Sequence, residues 1–159
     1  MLDEAMGYVH RCWKEQEGVF YYAIDGNNGG DIRTGRGMVA AGALSLALAG
    51  QHQTPMELAA GDWLLAHPFR RFGELIGAPY DRFFYSAYYA SQAAAQLGGR
   101  YWEGIYPPLA AAVMSAQTAN GSWPAEVGRM DQVFGTTYSS AMAVLSLTPA
   151  FQLLPVYQR

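Results

Sequence analysis

The sequence has one cysteine, Cys12, and one lysine, Lys14. A lone cysteine excludes an internal disulfide and any cysteine-rich zinc module. Charged residues make up 14% of the chain, against ~25% in an ordinary soluble domain. Nine of the ten cationic residues are Arg. Lysine is the commonest way to keep a surface wet, so much of this surface is expected to be covered by something else. The net charge of −3 and the lack of a basic cluster argue against nucleic acid as a partner. No apolar run reaches the ~20 residues that a membrane-spanning helix needs, so a soluble chain is expected. The N-terminus has no basic start followed by an apolar core, hence no signal peptide. It begins inside a helix-like run, as a chain cut from a longer protein would, and nothing in it specifies a compartment.

What is present is helical in rhythm. Leu2, Ala5, Met6, Val9 and Trp13 form one apolar stripe at spacings of three and four. Gly18 ends that run, Val19 to Ala23 reads as a short extended segment, and Asp25 to Gly30 reads as loop. Further helices are expected over Thr34–Ala49, Pro55–Ala66, Asp81–Leu97, Tyr101–Gln117 and Thr136–Leu147. Pro55 suits a helix start, Pro68 a stop, Gly98-Gly99 a break, and Pro107-Pro108 a start or kink. The first, third and fifth helices are amphipathic with larger side chains, whereas the second, fourth and sixth are rich in small residues.

The chain also resembles itself. Leu44-Ser45-Leu46 matches Leu145-Ser146-Leu147, and Leu48-Ala49-Gly50 matches Leu97-Gly98-Gly99, so three units of about 50 residues are expected (1–50, 51–99, 100–159). Gln117, Gly121 and Trp123 punctuate the last unit around the Asn120-Gly121 turn signal. Gln16, Gly18 and Phe20 repeat that pattern weakly in the first. These features point to an all-α fold, three repeated antiparallel helical hairpins stacked into a curved array, in a single domain.

Gln117-x3-Gly121-x-Trp123, followed by Thr136-Thr-Tyr-Ser-Ser-Ala-Met-Ala-Val-Leu145, resembles the Gln-Trp repeats of squalene–hopene cyclases and protein prenyltransferase β subunits. The closing Leu154-Pro-Val-Tyr-Gln-Arg159 looks like the end of bacterial proteins with prenyltransferase/squalene-oxidase repeats. The resemblance implies an α/α toroid, of which six helices would be half. It also implies that the chain is part of a longer toroid protein or of a homo-oligomer. The catalytic sets of the family are absent. No Asp-x-Asp-Asp acid occurs, no Cys-Gly-Glu-Gln thioester run occurs, and His10 and Cys12 would point about 200° apart on their helix, so they cannot share a metal.

Asp31, Asp81 and Asp131 recur every 50 residues, each just before a small-residue helix. They are expected either to cap helices or to form a carboxylate rim. Such a rim could hold Mg²⁺, but only if the three converge, or supply a general acid. No other cofactor and no metal site is expected. Arg33, Arg36, Arg82 and Arg129 lie beside the three Asp. Tyr85, Tyr88, Tyr89 and Gln92, with Tyr138 and Met142 at comparable positions, are either core or the wall of an apolar, π-rich ligand site. Gln117, Gly121 and Trp123 are expected to be structural. His52 and His67 are expected to be solvent-exposed, and Cys12 a buried small hydrophobe.

Three functions follow as expectations. The first is a non-catalytic scaffold whose concave face takes a partner segment or the rest of a toroid. The second is a fragment of an enzyme or binder for isoprenoid-type apolar ligands, with rim Asp residues as acid or metal ligand. The third is a glycan-processing toroid enzyme.

Overall fold

The computed structural model describes residues 1–24, 33–74, 81–126 and 130–151, with only the backbone of Met130 and Asp131. The chain is mostly helical among these residues, with six α-helices and one short two-stranded ribbon. The helices are α1 (Leu2–Cys12), α2 (Arg36–Leu48), α3 (Pro55–Ala66), α4 (Phe83–Leu97), α5 (Gly99–Ser115) and α6 (Gly135–Leu147). The strands β1 (Trp13–Lys14) and β2 (Val19–Phe20) pair antiparallel, Trp13 opposite Phe20.

Local chemistry sets these boundaries. At the start of α3 the Thr54 hydroxyl accepts from the Glu57 N–H, the Glu57 carboxylate accepts from the Gln53 N–H, and Pro55 takes the first helical position. This resembles a capping box with the Glu arm reaching one residue further out, to Gln53, and Pro55 pre-sets φ at the entry. Between α4 and α5 a single residue, Gly98, turns the chain at φ 65°. The expected two-glycine break is therefore narrower, and α5 begins at Gly99. Pro107 and Pro108 lie inside α5 rather than starting it. The carbonyls they free belong to Glu103 and Gly104, which are exposed residues that water can serve. Residues 130–134, expected as loop, form a 3₁₀ turn leading into α6.

The helices fall into two layers. The small-residue helices α2, α4 and α6 contact one another in a row with α4 in the middle. Helix α3 backs α2, α5 backs α4, and α3 touches α5. Small side chains make the row tight. Ala40, Ala43, Ala87, Ala90, Ala93, Ala94 and Ala143 are all buried there, as are Ser86, Ser91, Ser139 and Ser146. Gly42 is required because a Cβ would lie 2.2 Å from the Phe20 ring, which seats the β-ribbon on α2. Among the described residues no helix is long and apolar enough to cross a membrane.

The Gln117–Trp123 loop is held mainly by its own residues and by α5. Gln117 Nε2 donates to Gly121 O at 2.9 Å, and the Trp123 indole N–H donates to Val113 O at 2.7 Å. The Trp123 backbone N–H reaches across to Ser140 Oγ at 3.0 Å. Gly121 at φ 85° and Gly18 at φ 67° both take the left-handed conformation.

Candidate functional site

A cavity of about 440 Å³ opens where the N-terminal ends of α2 and α4 meet. That is within the size range of small-molecule sites. The segment before α2 supplies Tyr22, Arg33 and Thr34, α2 supplies Gly37 and Met38, and α4 with its entry supplies Asp81, Arg82, Tyr85 and Ser86. Gly37 has no room for a side chain, since a Cβ would lie 2.8 Å from the Tyr85 ring.

Asp81 is fully engaged. Its Oδ1 accepts from the Arg36 backbone N–H and from Ser86 Oγ, each at 2.9 Å. Its Oδ2 accepts from Arg36 Nε at 3.0 Å and Nη2 at 2.7 Å. Arg36 is itself completely buried. Its Nη1 donates to Glu74 at 2.7 Å and to Pro68 O at 3.2 Å, and its guanidinium lies 3.9 Å from the Phe69 ring centroid. Asp81 thus caps the preceding small-residue helix, α2, and not the helix it introduces. A carboxylate spent in this way holds the fold and has no lone pair left for a metal.

Glu126 repeats the arrangement one junction on. Reaching back from the segment before α6, its carboxylate accepts from the N–H groups of Phe83 and Phe84 at the start of α4, the latter at 3.1 Å. Burial pushes its carboxyl above the ordinary carboxylate value, against the opposing pull of those N–H groups and of Arg82. Arg36 and Glu126 are the buried charged residues of these two junctions, and sequence reasoning did not single them out as buried. For Arg36 a signal existed, because it is the only charge in the otherwise small and apolar run Thr34–Ala49. Glu126 carried no comparable mark.

The aromatic residues form a cluster on α4. The Tyr85 and Tyr89 rings are 4.8 Å apart and those of Tyr88 and Tyr89 5.0 Å apart. All three are half-buried. The Tyr85 phenol is pushed up to about 12 by burial and then by its Tyr89 neighbour, so it stays protonated at neutral pH. Arg82 donates to the Tyr138 hydroxyl at 3.2 Å and lies 5.2 Å from the Tyr85 ring centroid. Arg33 lies 4.5 Å from that of Tyr22. Gln92 is buried and turned to α6, donating from Nε2 to Leu145 O at 3.3 Å. Met142 packs against the core.

Asp31 and Arg129 lie outside the described residues, and so does the side chain of Asp131. Among the described residues no group of three metal-ligating side chains gathers. His52 is exposed. His67, expected in solvent, instead stacks on Trp63 at 3.8 Å, with Nδ1 2.7 Å from Trp63 O. A ring four residues on along a helix end finds the indole face more readily than water. Cys12 is buried. Comparison with protein-family models, with curated proteins and with solved structures returns no match to this chain.

Proposed function

We propose that this chain is a non-catalytic scaffold of the α/α-toroid repeat type, with the row α2, α4, α6 as the wall of a concave face that takes a partner segment or the rest of a toroid. The observation that carries this reading is the saturation of Asp81. The one rim carboxylate whose side chain is described is held in the core by Arg36 and Ser86, with both of its oxygens already accepting two hydrogen bonds each. Two layers of helices, with small residues between α2, α4 and α6, support this reading.

A second reading rests on the cavity. Arg33 and Arg82, with the rings of Tyr22 and Tyr85 and the thioether of Met38, suit an apolar body carrying an acidic group. A glycan site has less behind it. The Tyr85, Tyr88 and Tyr89 rings meet at 58° and 68° and make no flat platform for a sugar face.

Incubation with farnesyl diphosphate and Mg²⁺ separates the readings. The scaffold predicts no diphosphate release and no saturable heat of binding. Saturable binding weakened by Arg82→Gln would support the cavity reading. Turnover abolished by Asp81→Asn or Asp131→Asn, in a variant that keeps its helical circular dichroism, would overturn the proposal.

A further inference from the structure

Cations are scarce in this chain, ten in 159 residues at a net charge of −3, yet Arg33 and Arg82 line the same small cavity. They come from separate segments, the one before α2 and the one before α4. Aromatic groups hold both. The Arg33 guanidinium lies 4.5 Å from the Tyr22 ring centroid. That of Arg82 lies 5.2 Å from the Tyr85 ring centroid and donates to the Tyr138 hydroxyl at 3.2 Å. A ring takes the face of a guanidinium, whereas the N–H donors lie in its plane. Ring contacts of this kind aim the donors without consuming them.

Charge sets what these arginines can hold. Among the described residues Arg33, Arg36 and Arg82 are set against Asp81, Glu74 and Glu126 at this end of the fold. Each of those carboxylates is engaged with Arg36 or with backbone N–H groups. Such a balance accepts one added negative charge far more readily than the several of a diphosphate. The rest of the lining is apolar and π-rich, with the Met38 thioether, the rings of Tyr22 and Tyr85, and glycine backbone. The Tyr85 phenol, pushed up to about 12 by burial, adds no negative charge. At about 440 Å³ the cavity is near the lower end of ligand-site sizes. That is room for one or two rings and not for a long polyprenyl chain.

We infer that this cavity binds a small aromatic monocarboxylate, its carboxylate bridging Arg33 and Arg82 and its ring packed against Tyr85 and Met38. A carboxylate matches the fork of a guanidinium, and an aromatic body suits a wall of rings and a thioether. The inference deepens the second reading above and rests on it. A scaffold can carry such a site, because binding asks no chemistry of the wall.

Titration calorimetry of the full chain with 3-phenylpropionate is expected to show saturable binding at one site. The uncharged 3-phenylpropionamide is expected to bind at least about tenfold more weakly, having lost its charge-assisted bonds. Acetate, which has the charge without the ring, is expected to bind more weakly by at least as much. Arg33→Gln and Arg82→Gln are each expected to weaken the acid at least about tenfold. Arg11→Gln, on α1 and outside the cavity, is expected to leave its affinity unchanged. The comparison of acid with amide uses the wild-type chain, so it decides the matter even if an arginine variant fails to fold. Equal affinity for acid and amide would overturn the inference. So would inorganic phosphate binding as tightly as the acid, which would mark a site for adventitious anions only. Saturable binding of farnesyl diphosphate without binding of 3-phenylpropionate would overturn this inference and leave the second reading standing. Binding of neither would end both.

Discussion

The two junctions in the row α2, α4, α6 solve one problem by different means. Each is closed by a carboxylate that reaches back from the segment ahead to the first N–H groups of the helix behind, Asp81 to α2 and Glu126 to α4. At the α2–α4 junction the carboxylate comes with a cation. Arg36 is fully buried, and Glu74, Pro68 O and the Phe69 ring complete its surroundings. At the α4–α6 junction the carboxylate has backbone donors in contact, with Arg82 attracting it from further off. A buried carboxylate given a guanidinium becomes a fixed part of the frame. One given N–H groups in a dry site holds its proton more readily. The first junction should therefore be the one whose loss unfolds the chain, and the second the one that responds to pH.

The strongest way to break this contrast is Arg36→Ala. It leaves Asp81 buried without its cation, at a cost of about 3–5 kcal/mol, a large share of the ~5–15 kcal/mol that holds a typical domain folded. Urea denaturation should show the variant largely unfolded at low denaturant. Arg36→Met combined with Asp81→Leu should recover most of the loss, since a removed pair leaves no orphan charge. If Arg36→Ala costs under about 1 kcal/mol, within the range of an exposed pair, the junction is not as dry as its burial implies.

A smaller effect tests how closely the junction is packed. In Gly37→Ala the new Cβ would meet the Tyr85 ring at 2.8 Å and Ser86 Oγ at 3.0 Å. Overpacking of this kind costs about 1–3 kcal/mol, which outweighs the ~1 kcal/mol that Ala gains over Gly in a helix. Gly7→Ala on α1 is the control. Its nearest neighbour would be the flexible end of Arg11 at 3.5 Å, so the propensity gain should stand alone and thermal melting should show a modest rise. A rise in both variants would mean that Tyr85 yields, and that the cavity wall is softer than the ring cluster implies.

The helices were legible in the sequence because their punctuation is local. Pro55, Pro68, Gly18 and Gly98 act within a residue or two of where they stand, and the apolar stripe of α1 declares a period. The site was less legible because its pairings span the chain. Asp81 stood out by its recurrence, but its partner lies 45 residues away, and no local rule joins two positions across that distance. Spacing alone left open whether an Asp caps its own helix or the one before. The uncharged flanks of α6 were readable as composition, yet which flank meets α4 depends on the stack and not on the stripe. His67 misled for the opposite reason: a turn position suggested solvent, while Trp63 one helical turn back offered a ring to lie on.

The subtlest test is Glu126→Gln, which keeps an oxygen to accept the N–H groups of Phe83 and Phe84 but cannot ionise. Because burial raises the Glu126 carboxyl above its ordinary value, the folded chain binds that proton more tightly than the unfolded chain does. Stability from this group is therefore fully present below the unfolded value and is lost as pH rises through the folded one. At neutral pH the wild type should be the less stable of the two proteins. As pH falls toward the ordinary carboxylate region Glu126 takes up its proton, and the difference in unfolding free energy between the two should shrink. Urea titrations of both proteins at several pH values between neutrality and that region give the difference directly. A gap that instead widens on acidification would mean that the backbone donors and Arg82 outweigh burial. Glu126 would then be held in its charged form by those donors, and the two junctions would differ in partner only.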